Sequence, residues 1–294
     1  MENRFSRLSA LGLIAALAAL LLALCALACP ATAMADEAKQ VAHSYDFYGR
    51  MTTYDTIDKA MEFAGEDAII MDTDWDLGAN SLAIPTGKTR TIDMNGHRIT
   101  SSAIGTINVG GGASLKLTSN AEYVDFSYRG YGKTGGGLTD QTWGWKDGLT
   151  VNAGGLVTNA REEWGTGITV SEGGKLQLED VAVAGCSYCG IRINGVATGD
   201  LTNTVVCHNS AGTGPDSSFG AGVYFSSYRI TLNMTNSHID DNYAYNNGGG
   251  VYCVAEGLTI RSNDGTGTIE GNASLRESST AFSRSPLRAP FPAW

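Results

Sequence analysis

Two carboxylates stand in matching places along this chain. Asp240 sits in Ile239-Asp240-Asp241-Asn242 and Glu270 in Ile269-Glu270-Gly271-Asn272. Each follows a branched apolar residue and stands two places before an asparagine. If the two segments are strands stacked one on the next, both side chains point outward, about 5 Å apart. That separation suits an acid and a nucleophile working on a glycosidic bond. The ordinary reading of two outward acids is a solvated face, and that reading is preferred. No catalytic residue is assigned, and the pair is kept as the candidate to test.

A second outward set is Thr169, Arg192, Tyr224 and Tyr252, each two places after a glycine. A guanidinium beside two phenol rings offers flat apolar surface and a cation, a platform for sugar rings or a partner's loop. Cross-strand stacking that stabilises a sheet is the competing account. Trp143 and Trp145 lie in a glycine-rich stretch, 121–165, with Tyr123, Phe126, Tyr128, Tyr131 and Trp164. There the choice between recognition and packing over strands stays open.

Other chemistries fail on spacing. His43, His97, His208 and His238 are scattered, with no Ser or Cys nucleophile in a recognisable setting. Gly87-Lys88-Thr89 and Gly132-Lys133-Thr134 end like phosphate loops, but Leu82 and Ser127 stand where the first glycine belongs. Gly135–Asp140 departs from the calcium-binding nonapeptide. Cys186 and Cys189 have zinc or redox half-site spacing without a second such pair or a histidine at ligand distance. No metal and no cofactor is expected.

The elements that must position the two outward sets repeat. Gly167-Ile-Thr-Val170, Gly190-Ile-Arg-Ile193, Gly222-Val-Tyr-Phe225 and Gly250-Val-Tyr-Cys253 open four copies of one frame. The copies close 19, 19, 20 and 22 residues later at Cys186, Asn209, Asn242 and Asn272, with Val183, Val206, Ile239 and Ile269 in one column. The joining segments 187–189, 210–221 and 243–249 differ in length. A constant frame with variable joints marks a stacked solenoid whose insertions leave at an edge. Period-two alternation sends Val170, Ile193, Phe225 and Cys253 inward beside the 183/206/239/269 column. Asn209, Asn242 and Asn272 can form an amide ladder that satisfies turn backbone groups.

Upstream, Ile57, Ala60, Met61 and Ala64 have helical spacing, so 53–64 is expected to be a short amphipathic helix with Asp55 as N-cap. It would cover the open end of the stack. Strands are expected at 68–71, 81–84 and 91–99. Val109–Leu117 and Val170–Leu178 share a strand, glycine turn, strand pattern, with looser relatives at Ile84–Lys88 and Val151–Leu156. The stretch 121–165 is an excursion, or irregular rungs with large loops. After Asn272 the alternation stops. Residues 274–294 carry Pro286, Pro290 and Pro292, half of the six prolines. That tail reads as a truncated end, and the native product is expected to be longer.

Residues 1–35 read as a signal peptide: Arg4 and Arg7, the apolar run Leu11–Ala28, then Ala33-Met34-Ala35. An uncleaved anchor, or lipidation at Cys29, is the alternative. Removing Arg4, Arg7 and Glu2 with the leader leaves 18 basic and 29 acidic residues, a charge of −11. That excludes nucleic acid and anionic lipid surfaces as partners. The membrane enters only through an uncleaved N-terminal segment. The four remaining cysteines, Cys186, Cys189, Cys207 and Cys253, allow three disulfide pairings, although the inward place of Cys253 favours a buried free thiol.

Two blocks carry a likeness: Ile57-Asp-Lys-Ala through Ile99, and Ile239-Asp-Asp-Asn-Tyr-Ala-Tyr-Asn-Asn-Gly-Gly-Gly-Val-Tyr252. Over residues 53–272 the chain resembles right-handed parallel β-helix proteins of the pectate-lyase-like superfamily. It is most similar to bacterial surface and polymorphic outer-membrane-type repeat proteins. The resemblance implies an all-β, right-handed parallel β-helix of about seven rungs over 68–273, with a capping helix inside 36–67. It speaks poorly to function, because such folds host lyases, hydrolases, adhesins and stalks. The calcium cage of the lyases and most polygalacturonase-like blocks are missing: Asp240-Asp241 is present, but Asn203-Thr204-Val205 lacks its acid. The expectation is therefore a secreted or cell-surface recognition or adhesion module that binds glycans or a host or cell-surface protein. A polysaccharide lyase or hydrolase comes second and a passive stalk third.

Overall fold

The computed structural model describes residues 39–135, 142–212, 219–226, 230–246, 248–254, 258–262 and 265–274. The leader, most of the tail and most of the nonapeptide-like segment lie outside these residues. The described chain is all-β with one short helix, and its strands are mostly parallel in stacked sheets, the arrangement of a β-helix-like solenoid.

Three sheets carry the stack. A nine-stranded sheet runs from Met51–Tyr54 at one edge to Leu258–Ser262 at the other. A seven-stranded sheet runs from Trp75–Asp76 to Thr268–Glu270, and a six-stranded sheet from Leu82–Ile84 to Val251–Cys253. Alternation along each strand sends one set of side chains into a shared core. Val183, Val206, Ile239 and Ile269 pair strand to strand in that order. Val170, Ile193, Phe225 and Cys253 do the same in the six-stranded sheet. All are buried except Cys253, which is half-buried because Val251–Cys253 is the edge strand of its sheet. Cys186, Cys189, Cys207 and Cys253 are free thiols.

The opening glycines of the frame are explained by crowding. A Cβ on Gly190 would lie 2.8 Å from Val206 Cγ1, 2.8 Å from Asn209 Nδ2 and 2.9 Å from the carbonyl oxygen of Gly222. Core column, asparagine and neighbouring backbone all meet there, so no side chain fits.

The amino-terminal end departs from expectation. The helix, α1, spans Ile57–Phe63 instead of 53–64, since Met51–Tyr54 is a strand. Thr56, not Asp55, is the N-cap: its hydroxyl accepts from the Lys59 amide at 3.3 Å. Arg90 donates to the carbonyls of Met61 and Gly65 at the other end of α1. Ala60 is buried in the main core, with Ile57 and Met61 packed against it. Beside the helix lies an antiparallel hairpin, Ala42–Tyr45 with Met51–Tyr54, that period-two counting missed because it is so short. The strand expected over 91–99 is two, Thr89–Asp93 and Arg98–Ser101. Asn95 and Gly96 have φ of 46° and 79° and turn the chain between them.

The aromatic excursion is a second antiparallel hairpin, Val124–Gly135 with Thr142–Ala153. It ends at Ala153, earlier than expected, because Gly155–Asn159 already belongs to the seven-stranded sheet. Val151–Leu156 is thus not a repeat of the strand–turn–strand unit. Phe126, Tyr128, Val151 and Ala153 pack on Leu156, Ala182, Ala184 and Cys207, forming a satellite core outside the main one. The hairpin leaves the stack without disturbing it, since Ser114 and Lys175 on either side pair directly.

Candidate functional site

On the outer face of the six-stranded sheet, Thr169, Arg192, Tyr224 and Tyr252 pair in register across four strands. The Arg192 guanidinium lies 5.5 Å over the Tyr224 ring and 5.9 Å from that of Tyr188. Tyr224 stacks on Tyr252 at 5.9 Å, and Tyr252 on Phe219 at 4.7 Å. Tyr188 in turn meets Trp164 at 5.3 Å. The result is a continuous strip: Trp164, Tyr188, Arg192, Tyr224, Tyr252, Phe219. Its rings are half-buried apart from the more exposed Trp164. Burial pushes the phenols of Tyr188 and Tyr224 upward, so both stay neutral donors. Sequence pattern found the middle of this strip. It missed Tyr188 and Phe219, which arrive from connecting segments that have no fixed place in the frame, and it grouped Trp164 with the aromatics of 121–165 instead of with the strip.

Arg192 is the cation of the strip. Its Nε donates to Asn194 Oδ1 at 3.1 Å, and among the described residues it has no carboxylate partner. A guanidinium framed by rings is an anchor for an acceptor group.

Trp143 and Trp145 stand elsewhere, at the outer half of the 124–153 hairpin. Trp143 and Tyr131 both pack on Tyr243, at 5.3 and 5.1 Å. Trp145 meets Tyr131 edge-on, with Arg129 over its ring at 5.5 Å. Tyr131 and Trp143 fasten the hairpin to the stack through Tyr243, Trp145 packs within the hairpin, and neither tryptophan joins the strip.

Asp240 and Glu270 are direct partners on adjacent strands. Asp240 is half-buried; its Oδ1 accepts the Glu270 amide at 3.2 Å. Burial is the main cause that raises its carboxyl from 3.8 to about 6, with Glu270 and Asp241 adding repulsion. Asp241 follows Asp240 outside the strand His238–Asp240. It has φ 51° and pairs with Lys133 of the hairpin at 3.3 Å. His238 Nδ1 meets the Thr268 hydroxyl at 2.7 Å. Among the described residues, no three His, Cys, Asp or Glu side chains could hold a metal ion. Burial drives the Cys189 and Cys207 thiols up to about 12, so neither is a nucleophile near neutral pH.

The Asp240 carboxyl gives a pH signature. Because its native value lies above 3.8, the folded state holds the proton more tightly, and this group's contribution to stability falls as pH rises from about 4 to 7. Asp240→Asn removes that dependence. The difference in melting temperature, variant minus wild type, is expected to grow over this range. A flat difference would show that Asp240 titrates normally.

The amides of Asn209, Asn242 and Asn272 interlock. Asn209 Nδ2 donates to Asn242 Oδ1, and Asn242 Nδ2 to Asn272 Oδ1, each at 2.9 Å. Their Nδ2 groups also reach the carbonyls of Val183, Val206 and Ile239. Cys186 occupies the next place and joins the ladder through its backbone N–H, which donates to Asn209 Oδ1 at 2.9 Å. This is scaffold, and it fixes the spacing of both outward sets.

Fold and strip together define a class: an all-β, β-helix-like stack of parallel sheets carrying one aromatic and cationic outer strip. No family model matches the chain, and no curated protein or solved structure matches it either.

Proposed function

We propose that this chain is an exported, extracytoplasmic recognition module. In this reading it is a right-handed parallel β-helix of about seven rungs, related to the pectate-lyase-like surface proteins, and it binds a glycan or a cell-surface protein without turning it over. The supporting observation is the strip from Trp164 to Phe219, with Arg192, which has no carboxylate partner among the described residues. Half-buried rings beside the Arg192 guanidinium suit a ligand with apolar faces and acceptor oxygens.

A glycan array probed with the mature chain tests this, followed by titration of any hit. Replacing both Tyr224 and Tyr252 by Ala is expected to weaken binding about tenfold or more, since two stacked contacts are lost. Neutralising Asp240 and Glu270 is expected to change affinity little. Unaltered affinity in the tyrosine pair would sink the proposal.

One observation favours the second reading, a glycoside hydrolase. A carboxyl held near 6 beside a second acid is the usual division between general acid and nucleophile. Release of sugar from polysaccharide that disappears in both Asp240→Asn and Glu270→Gln would put that reading first.

A further inference from the structure

Phe47 and Tyr48 are the most exposed large apolar side chains described, at 94% and 80%. They form the turn of the hairpin made by Ala42–Tyr45 and Met51–Tyr54. Tyr45 and Met51, exposed cross-strand partners, extend the apolar surface down one side of it. The opposite side of the hairpin is committed to the core, where Ala42 and Ser44 are buried and the Ser44 hydroxyl bonds that of Tyr54 at 2.9 Å.

The turn is built to stay in one shape. The Asp46 carboxylate accepts the amides of Tyr48 and Arg50, each at 2.9 Å, and pairs with the Arg50 guanidinium at 2.7 Å. Those bonds to Arg50 hold its carboxyl below the usual range. Arg50 also lies over the Tyr48 ring at 5.6 Å, and Phe47 meets Tyr48 edge-on at 5.5 Å. The knob is therefore preorganised, charge-balanced and unused by the fold.

We propose that this knob docks the protein onto a lipid bilayer by inserting Phe47 and Tyr48 into the interfacial layer. A convex tip needs a pocket in a protein partner, whereas a bilayer interface accepts it without shape complementarity. Phenyl, phenol and guanidinium together match that layer, where aromatic rings sit at headgroup level and long cationic side chains reach water. The pairing of Asp46 with Arg50 leaves no net charge at the tip, so an acidic chain is not repelled from zwitterionic lipid.

The test is flotation of the exported chain, residue 36 onward, with phosphatidylcholine vesicles. Binding is expected, little changed by raised salt and weakened by added anionic lipid, which repels so acidic a chain. Phe47→Ser with Tyr48→Ser is expected to reduce it about tenfold or more, because binding scales with the apolar area inserted. The melting temperature should fall only slightly, as these exposed rings contact each other and Arg50 and are not part of the core. In Phe47→Trp, lipid brominated in its tails should quench fluorescence beyond the wild-type level. Failure of the wild type to float, equal flotation of the double variant, or binding that needs anionic lipid would each overturn the proposal. So would self-association in solution that the double variant abolishes, since the occupant would then be a second copy.

Discussion

Ile239→Asp is expected to leave no folded protein at ambient temperature. Ile239 is fully buried between Val206 and Ile269, in a column with no polar group of its own. An aspartate there either ionises without a partner or takes a proton at large cost, and the loss should exceed about 4 kcal/mol. Ile239→Val, which removes one methylene, should lose only about 1 kcal/mol and keep the fold. Urea melts followed by far-ultraviolet circular dichroism separate the two. A folded Asp variant would mean that the column is wet, and the register drawn through it would be wrong.

Gly222→Ala is the second large effect, and its cause is contact alone. An added Cβ would lie 2.7 Å from Ile239 Cγ2, 3.0 Å from Asn242 Nδ2 and closer still to the carbonyl oxygen of Gly250. That carbonyl accepts the Val223 amide at 2.8 Å, so it cannot retreat without breaking the ladder between strands. One methyl group therefore strains core column, asparagine ladder and sheet together, a loss of about 3 kcal/mol. Gly87→Ala is the comparison. It meets nothing within 4 Å but sits at φ 69°, so only backbone strain is felt, about 1 kcal/mol. Equal losses at the two glycines would show that the interior yields at Gly222.

These residues also show what a single sequence can reveal. Columns such as 183/206/239/269 were legible because alternation and a fixed frame length locate them independently of loops. Arg192, Tyr224 and Tyr252 were legible for the same reason. Tyr188 and Phe219 were not, since they sit in joints of unequal length that share no register. His208 was missed for a different reason. Its Nδ1 bonds the Tyr128 hydroxyl at 2.6 Å, and its carbonyl accepts the Tyr131 amide at 2.8 Å. That partner comes from a hairpin about 80 residues away, whose landing place depends on packing that no local pattern encodes. Asn159 behaves likewise. It is buried and bonds Thr106 Oγ1 at 3.0 Å, yet it lies before the first of the four frames and drew no notice.

The 124–153 hairpin also changes how the molecule comes apart. A strand in such a stack touches only its two neighbours, so the sheets can unzip one strand at a time from a free end. This hairpin lies across the strands that hold Leu156, Ala182, Ala184 and Cys207, then reaches Asp241 and Tyr243. It works as a splint: none of those strands can peel away without lifting the bar laid over all of them. Amide exchange should therefore be slow and nearly uniform over Gly155–Asn159, Val181–Ala184 and Val205–Cys207, and quicken stepwise over the strands the splint does not touch.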